Sequence, residues 1–211
     1  MSPRVLIDQS EFTAGPAATW ADLLGQIEAA LDTRGDVISE VRFDGVEQTN
    51  YRDAPALGRA LDDIQTIDID AVPPQILIAR GLREAMASIE HLQRGTRDLA
   101  IGYRRSEIQE SNQRLGVLAE AIGNLITIVV AARNVLGVDL ATLDVDGSVA
   151  SAIIGELDTA IAAAGDAARA RDWITLADVL EYDVEPALPR IGRVLDTLAL
   201  IPLPGPSSSA R

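Results

Sequence analysis

The stretch 66–103, TIDIDAVPPQILIARGLREAMASIEHLQRGTRDLAIGY, changes its hydrophobic period halfway along, and that change decides the fold. Before Pro73-Pro74, apolar residues alternate with the carboxylates Asp68 and Asp70, the period of a strand. After it, Ile78, Leu82, Ala85, Ile89, Leu92, Thr96, Leu99 and Tyr103 recur in steps of four and three, the heptad seam of a long helix. Neither proline can donate a backbone hydrogen bond, so the pair reads as a stiff hinge. The reading sets a small α/β head over residues 1–72 ahead of a helical part from residue 73.

Working back from the hinge, residues 4–8 (RVLID) suit a strand, and residues 9–15 return as a second one before the Gly15-Pro16 breaker. Thr19 and Asp22 form a capping box for a helix carrying Trp20, Leu23, Leu24, Ile27, Ala30 and Leu31, which ends at Gly35. Residues 37–46 alternate, placing Val37, Ser39, Val41 and Phe43 on one face, and Asp44-Gly45 marks a turn. A short helical piece is expected over 56–61.

Working forward, Ser106-Glu107-Ile108-Gln109 resembles a second capping box. It opens a helix with the seam Ile108, Leu115, Leu118, Ile122, Leu125 and Val129, stopping at Gly137. A third helix is predicted from about Ser148 to Ala168, with Val149, Ile153, Leu157, Ala160, Ile161 and Ala164 on a face of small residues. Asp172 caps a fourth, whose core face holds Trp173, Leu176, Leu180, Val184, Leu188, Ile191, Leu195 and Leu198. Pro186 and Pro189 kink it. The expected architecture is α+β: a head of residues 1–72, an up-down four-helix bundle of residues 73–201 and a disordered Pro/Gly/Ser tail of residues 202–211.

Composition bounds the chemistry. Among 211 residues, 47% are hydrophobic but only 3% aromatic, so aliphatic side chains must build the core. There is no cysteine, which removes disulfides, thiolate catalysis and cysteine metal sites. All 18 basic residues are arginine, which removes lysine chemistry and fits a GC-rich bacterial coding sequence. Net charge is −14, with 14 acids against 5 arginines in residues 1–72, a balance that disfavours nucleic acid and anionic membranes. The N-terminus has no secretory pattern and the longest apolar run, about 126–132 and interrupted by Thr127, falls short of a membrane span. A cytoplasmic protein is expected.

Candidate sites are few. His91 is the single histidine, which excludes a two-histidine metal centre. Aligned to a calcium loop, Asp144-Val145-Asp146-Gly147 puts Thr142 and Ile153 where the decisive ligands belong, so it reads as a turn. Glu181, Asp183 and Glu185 surround Tyr182 on the fourth helix as a solvated or partner-facing stripe, with Glu181 and Glu185 repelling each other. Together with Trp173 they form the predicted interaction surface. No catalytic, cofactor or metal residues are assigned.

The element order of residues 4–72 resembles a β-grasp (ubiquitin-like) head. The chain does not end in Gly-Gly, so sulfur-carrier chemistry is not implied. The runs 172–188 (DWITLADVLEYDVEPAL) and 112–125 (NQRLGVLAEAIGNL) are similar to a family of uncharacterised bacterial proteins that join such a head to a helical bundle. That resemblance implies the architecture and no catalysis. The expected role is a non-enzymatic protein-interaction module, an adaptor, scaffold or export-type chaperone able to form a homodimer. The rival readings are a small-ligand or hydrolytic protein using Asp68, Asp70, Arg104 or Arg105 between head and bundle, and a structural subunit of a larger assembly.

Overall fold

A computed structural model describes residues 3–202, so the predicted tail from residue 203 on lies outside the described residues. The protein is α+β, mostly helical, with one small mixed sheet and a two-stranded ribbon. It divides into two compact units, one up to Leu77 and one from Ile78 on. Each has its own hydrophobic core, and the two cores share no residue.

The first unit holds β1 (Arg4–Ile7), β2 (Ser10–Glu11), α1 (Trp20–Arg34), β3 (Val37–Phe43), β4 (Val46–Glu47), a short α2 (Ala54–Leu57) and β5 (Thr66–Val72). Sheet order is β2-β1-β5-β3-β4, with β1 and β5 parallel and the other pairs antiparallel. Thr19 and Asp22 cap α1 reciprocally, and Gly35, at φ 72°, ends it. Trp20, Leu23, Ile27 and Leu31 of α1 share one core with Val41, Phe43, Ile67 and Ile69 of the sheet. Trp20 meets Phe43 edge-on at 5.0 Å and donates its Nε1 hydrogen to the Tyr51 carbonyl at 2.7 Å.

Two expectations fail here. The second strand is two residues long rather than a run over 9–15, because Asp8 and Gln9 both take positive φ and turn the chain within two residues. The alternation in β3 breaks between Ile38 and Glu40, where the pairing with β5 shifts. The extra residue, Ser39, turns Ile38 inward beside Val41 and Phe43 and leaves Val37 and Ser39 half-buried.

The second unit contains most of α3 (Pro74–Arg104), α4 (Ile108–Leu136), the ribbon β6 (Asp144–Val145) and β7 (Ser148–Val149), α5 (Ala150–Ala170), α6 (Trp173–Val179), a π turn (Leu180–Val184) and α7 (Glu185–Ala199). All eight predicted seam residues of α3 are buried. Leu118, Ile122, Leu125 and Val129 of α4 join them, as do Ile153 and Leu157 of α5 and Leu188, Ile191 and Leu195 of α7.

Pro73-Pro74 opens a helix. Pro74 takes the first position of α3, where a missing N–H leaves nothing unmade, and the Pro73 carbonyl accepts from Ile76 at 2.9 Å. Ser106 is not an N-cap. It sits at φ 64° while the Glu107 N–H reaches back to the Gly102 carbonyl at 3.0 Å, so Ser106 finishes α3 and cannot also adopt the extended cap of α4. The third helix starts at Ala150, because Asp146 and Gly147 form the tight turn of a ribbon that takes up Ser148 and Val149. The fourth segment is interrupted rather than simply kinked. The Glu185 N–H bonds to the Leu180 carbonyl five residues back, immediately before the N–H-less Pro186.

Candidate functional site

The π turn distributes the predicted acidic stripe to two sides of the helical unit. Glu181 and Glu185 do not repel across open solvent, because each is neutralised by an arginine of α3. Arg104 pairs with Glu181 and with Asp178 of α6, the latter at 2.7 Å, and its guanidinium lies 5.9 Å from the Tyr182 ring. Arg97, seven residues earlier, reaches Glu185 at 2.6 Å. The hydrogen bond that Arg104 donates to Asp178 holds the guanidinium protonated beyond its ordinary range. These two acids therefore tie α3 to the π turn and to the start of α7, and a partner would have to displace arginine to reach them.

Trp173 serves the same junction. Its ring stacks on Tyr103 at 5.6 Å and 4°, and the Tyr103 hydroxyl donates to Asn112 Oδ1 at 2.9 Å. Burial pushes the Tyr103 phenol above its ordinary pKa. Asp172 caps α6 by accepting from the Thr175 N–H at 3.0 Å, and that backbone bond lowers its carboxyl pKa.

Tyr182 and Asp183 line a groove of about 650 Å³ between α5 and α7. Its α5 wall is made of small residues, Ala152, Gly155, Ala160 and Ala163, with Thr159 between them. Pro186 and Ala187 form the opposite wall, and the Glu156–Arg190 ion pair closes one rim. Tyr182 is 65% exposed, and among the described residues Asp183 has no ion-pair or hydrogen-bonding partner. Of the five predicted surface residues, this groove gathers Tyr182 and Asp183. Glu181, Glu185 and Trp173 belong to the contact with α3.

Other predicted positions have local duties. Asp70 pairs with Arg42 across the sheet. Arg105 is exposed beyond the end of α3. Asp144 accepts from the Gly147 N–H inside the ribbon and Asp146 pairs with Arg193 at 3.3 Å, so both carboxylates of the calcium-like segment are engaged in the ribbon or its flank. His91 is exposed on α3, and among the described residues no three metal-ligating side chains converge. Helix α4 is long and apolar enough to cross a membrane, with mean hydropathy 2.0 over 18 residues, of which 28% are buried. The apolar run of residues 126–132 is only part of this helix, whose Leu118, Ile122, Leu125 and Val129 sit in the core.

The arginine pairs were missed although a signal was present. Arg97 and Arg104 repeat at seven residues along α3, and Asp178, Glu181 and Glu185 repeat at three and four along the later helix, complementary ladders of opposite sign. No family model matches this chain, and comparison with curated proteins and with solved structures found no match.

Proposed function

We propose that the protein is a non-enzymatic protein-interaction module of a bacterial cytosol, an adaptor, scaffold or export-type chaperone that docks its partner on the helical unit. The observation that carries this reading is the α5/α7 groove. A mostly exposed tyrosine stands over a floor of alanine and glycine, the arrangement that lets a partner helix approach closely while an aromatic side chain anchors it. Unpaired Asp183 at the rim, in a chain of net charge −14, favours a cationic residue on that partner and disfavours nucleic acid.

For the architecture, we read the first unit as β-grasp-like and the second as a four-helix bundle of α3, α4, α5 and the α6–α7 segment. Support for the former comes from the strand order with its parallel central pair, and for the latter from one buried face on every long helix.

A photo-reactive amino acid placed at Tyr182 tests the docking reading in cells. A discrete crosslinked partner, or a crosslinked homodimer, is expected at Tyr182 and not at the exposed Arg83 used as control. Crosslinking of equal pattern at both positions, or at neither, would overturn it.

A further inference from the structure

A second groove, between α3 and α4, has a different chemistry from the one beside Tyr182. It encloses about 310 Å³, within the range of small-molecule sites. Buried Leu92, Leu99 and Leu118 form its floor, and Val117, 68% exposed, and Ala121 form its α4 wall. Around this apolar floor stand His91 and Arg94 of α3 and Arg114 of α4. The one carboxylate lining the groove, Asp98, lies 3.8 Å from Arg114, a loose contact, and among the described residues Arg94 has no ion pair. Two arginines against one aspartate leave this apolar floor with a local excess of positive charge, opposite in sign to the net charge of −14 of the whole chain.

We propose that the α3/α4 groove binds a small amphipathic carboxylate, its aliphatic tail laid along Leu92, Leu99, Val117 and Leu118 and its carboxylate held by Arg94 and Arg114. Charge complementarity selects an anion, because a cationic head would meet two guanidinium groups and only one carboxylate. The planar guanidinium fork matches a carboxylate better than a point cation does. Gly95 keeps the groove open, since a side chain added there meets nothing within 4 Å and would project into free space. The site is independent of the α5/α7 groove and does not rest on the interaction reading.

Isothermal titration of the full chain with octanoate and, separately, octylammonium tests the proposal. Octanoate is expected to bind and octylammonium not to. Arg94→Gln and Arg114→Gln should each weaken octanoate by roughly tenfold, the loss of one charge-assisted hydrogen bond. Gly95→Leu should abolish binding with an unchanged circular dichroism spectrum, and Tyr182→Ala should leave it unaltered. If Gly95→Leu unfolds the protein, the two arginine variants decide alone. Absence of octanoate binding, equal binding of the two amphiphiles, or wild-type affinity in both arginine variants would overturn the proposal.

Discussion

Gly102 shows how a single position can be dictated by a distant one. A Cβ placed there would lie 2.6 Å from Ser111 Oγ, closer than a carbon can sit without something shifting, because α3 and α4 nearly touch where the chain reverses. Gly102→Ala should therefore cost about 1–3 kcal/mol in urea denaturation, and Ser111→Gly in the same chain should recover most of it. An alanine variant as stable as the parent would mean the two helices have slack at that point. Read locally, Gly102 is only a weak helix residue, and nothing within one turn of it announces Ser111. Tyr103, next to it, carries a pH dependence. Burial raises its phenol pKa in the folded chain, so the unfolded chain loses that proton first, near pH 10, and stability falls as pH climbs from there. Tyr103→Phe should flatten that alkaline decline while lowering stability at neutral pH by about 1 kcal/mol, for the hydrogen bond to Asn112. Urea midpoints measured across the alkaline range check both effects. An equally steep decline in the phenylalanine variant would show that Tyr103 is not its source.

Individual elements follow the sequence where their cause lies within a turn or two. The seam of α3 was legible to the residue, as were the caps Thr19 and Asp172 and the stops Gly35 and Gly137, since each depends on neighbours three or four positions away. Elements went astray where one backbone conformation served two neighbours. Ser106 matched a capping box in its letters but closes α3 in a left-handed conformation, and Ser39 slips the alternation of β3 by one residue. The π turn is a third case. It takes up the register offset ahead of Pro186, while Pro189 within α7 still leaves the Glu185 carbonyl without its usual donor. Pro189→Ala restores that donor and should stabilise the protein by about 1–2 kcal/mol, read as a higher melting temperature. A lower melting temperature would show that the proline ring, which is half-buried, contributes more by packing than the missing bond costs.

The whole molecule is organised by two cores that share no residue. Ile67→Ala in the first and Leu157→Ala in the second should each cost about 2–5 kcal/mol, because both side chains are fully buried. With Trp173→Phe as background, Trp20 fluorescence follows the first core and far-ultraviolet circular dichroism follows the helices. Ile67→Ala is expected to shift the fluorescence transition and Leu157→Ala the dichroism transition. If either substitution moved both signals equally, the chain would unfold as one cooperative unit. The change of period from two to about three and a half beside Pro73-Pro74 was readable, and so was the reliance on aliphatic packing, from a composition with few aromatics, whereas the two units part at Leu77 and Ile78, inside α3. Those properties are carried by residues close together in the chain. The two charge ladders lay in the sequence, but which acid meets which arginine, the gathering of Tyr182 and Asp183 at one groove and of Arg94 and Arg114 at another, and the closeness of Gly102 to Ser111 came only with the packed helices. Many of these contacts join positions far apart in the chain, and local preference carries no information about which distant side chain will stand opposite.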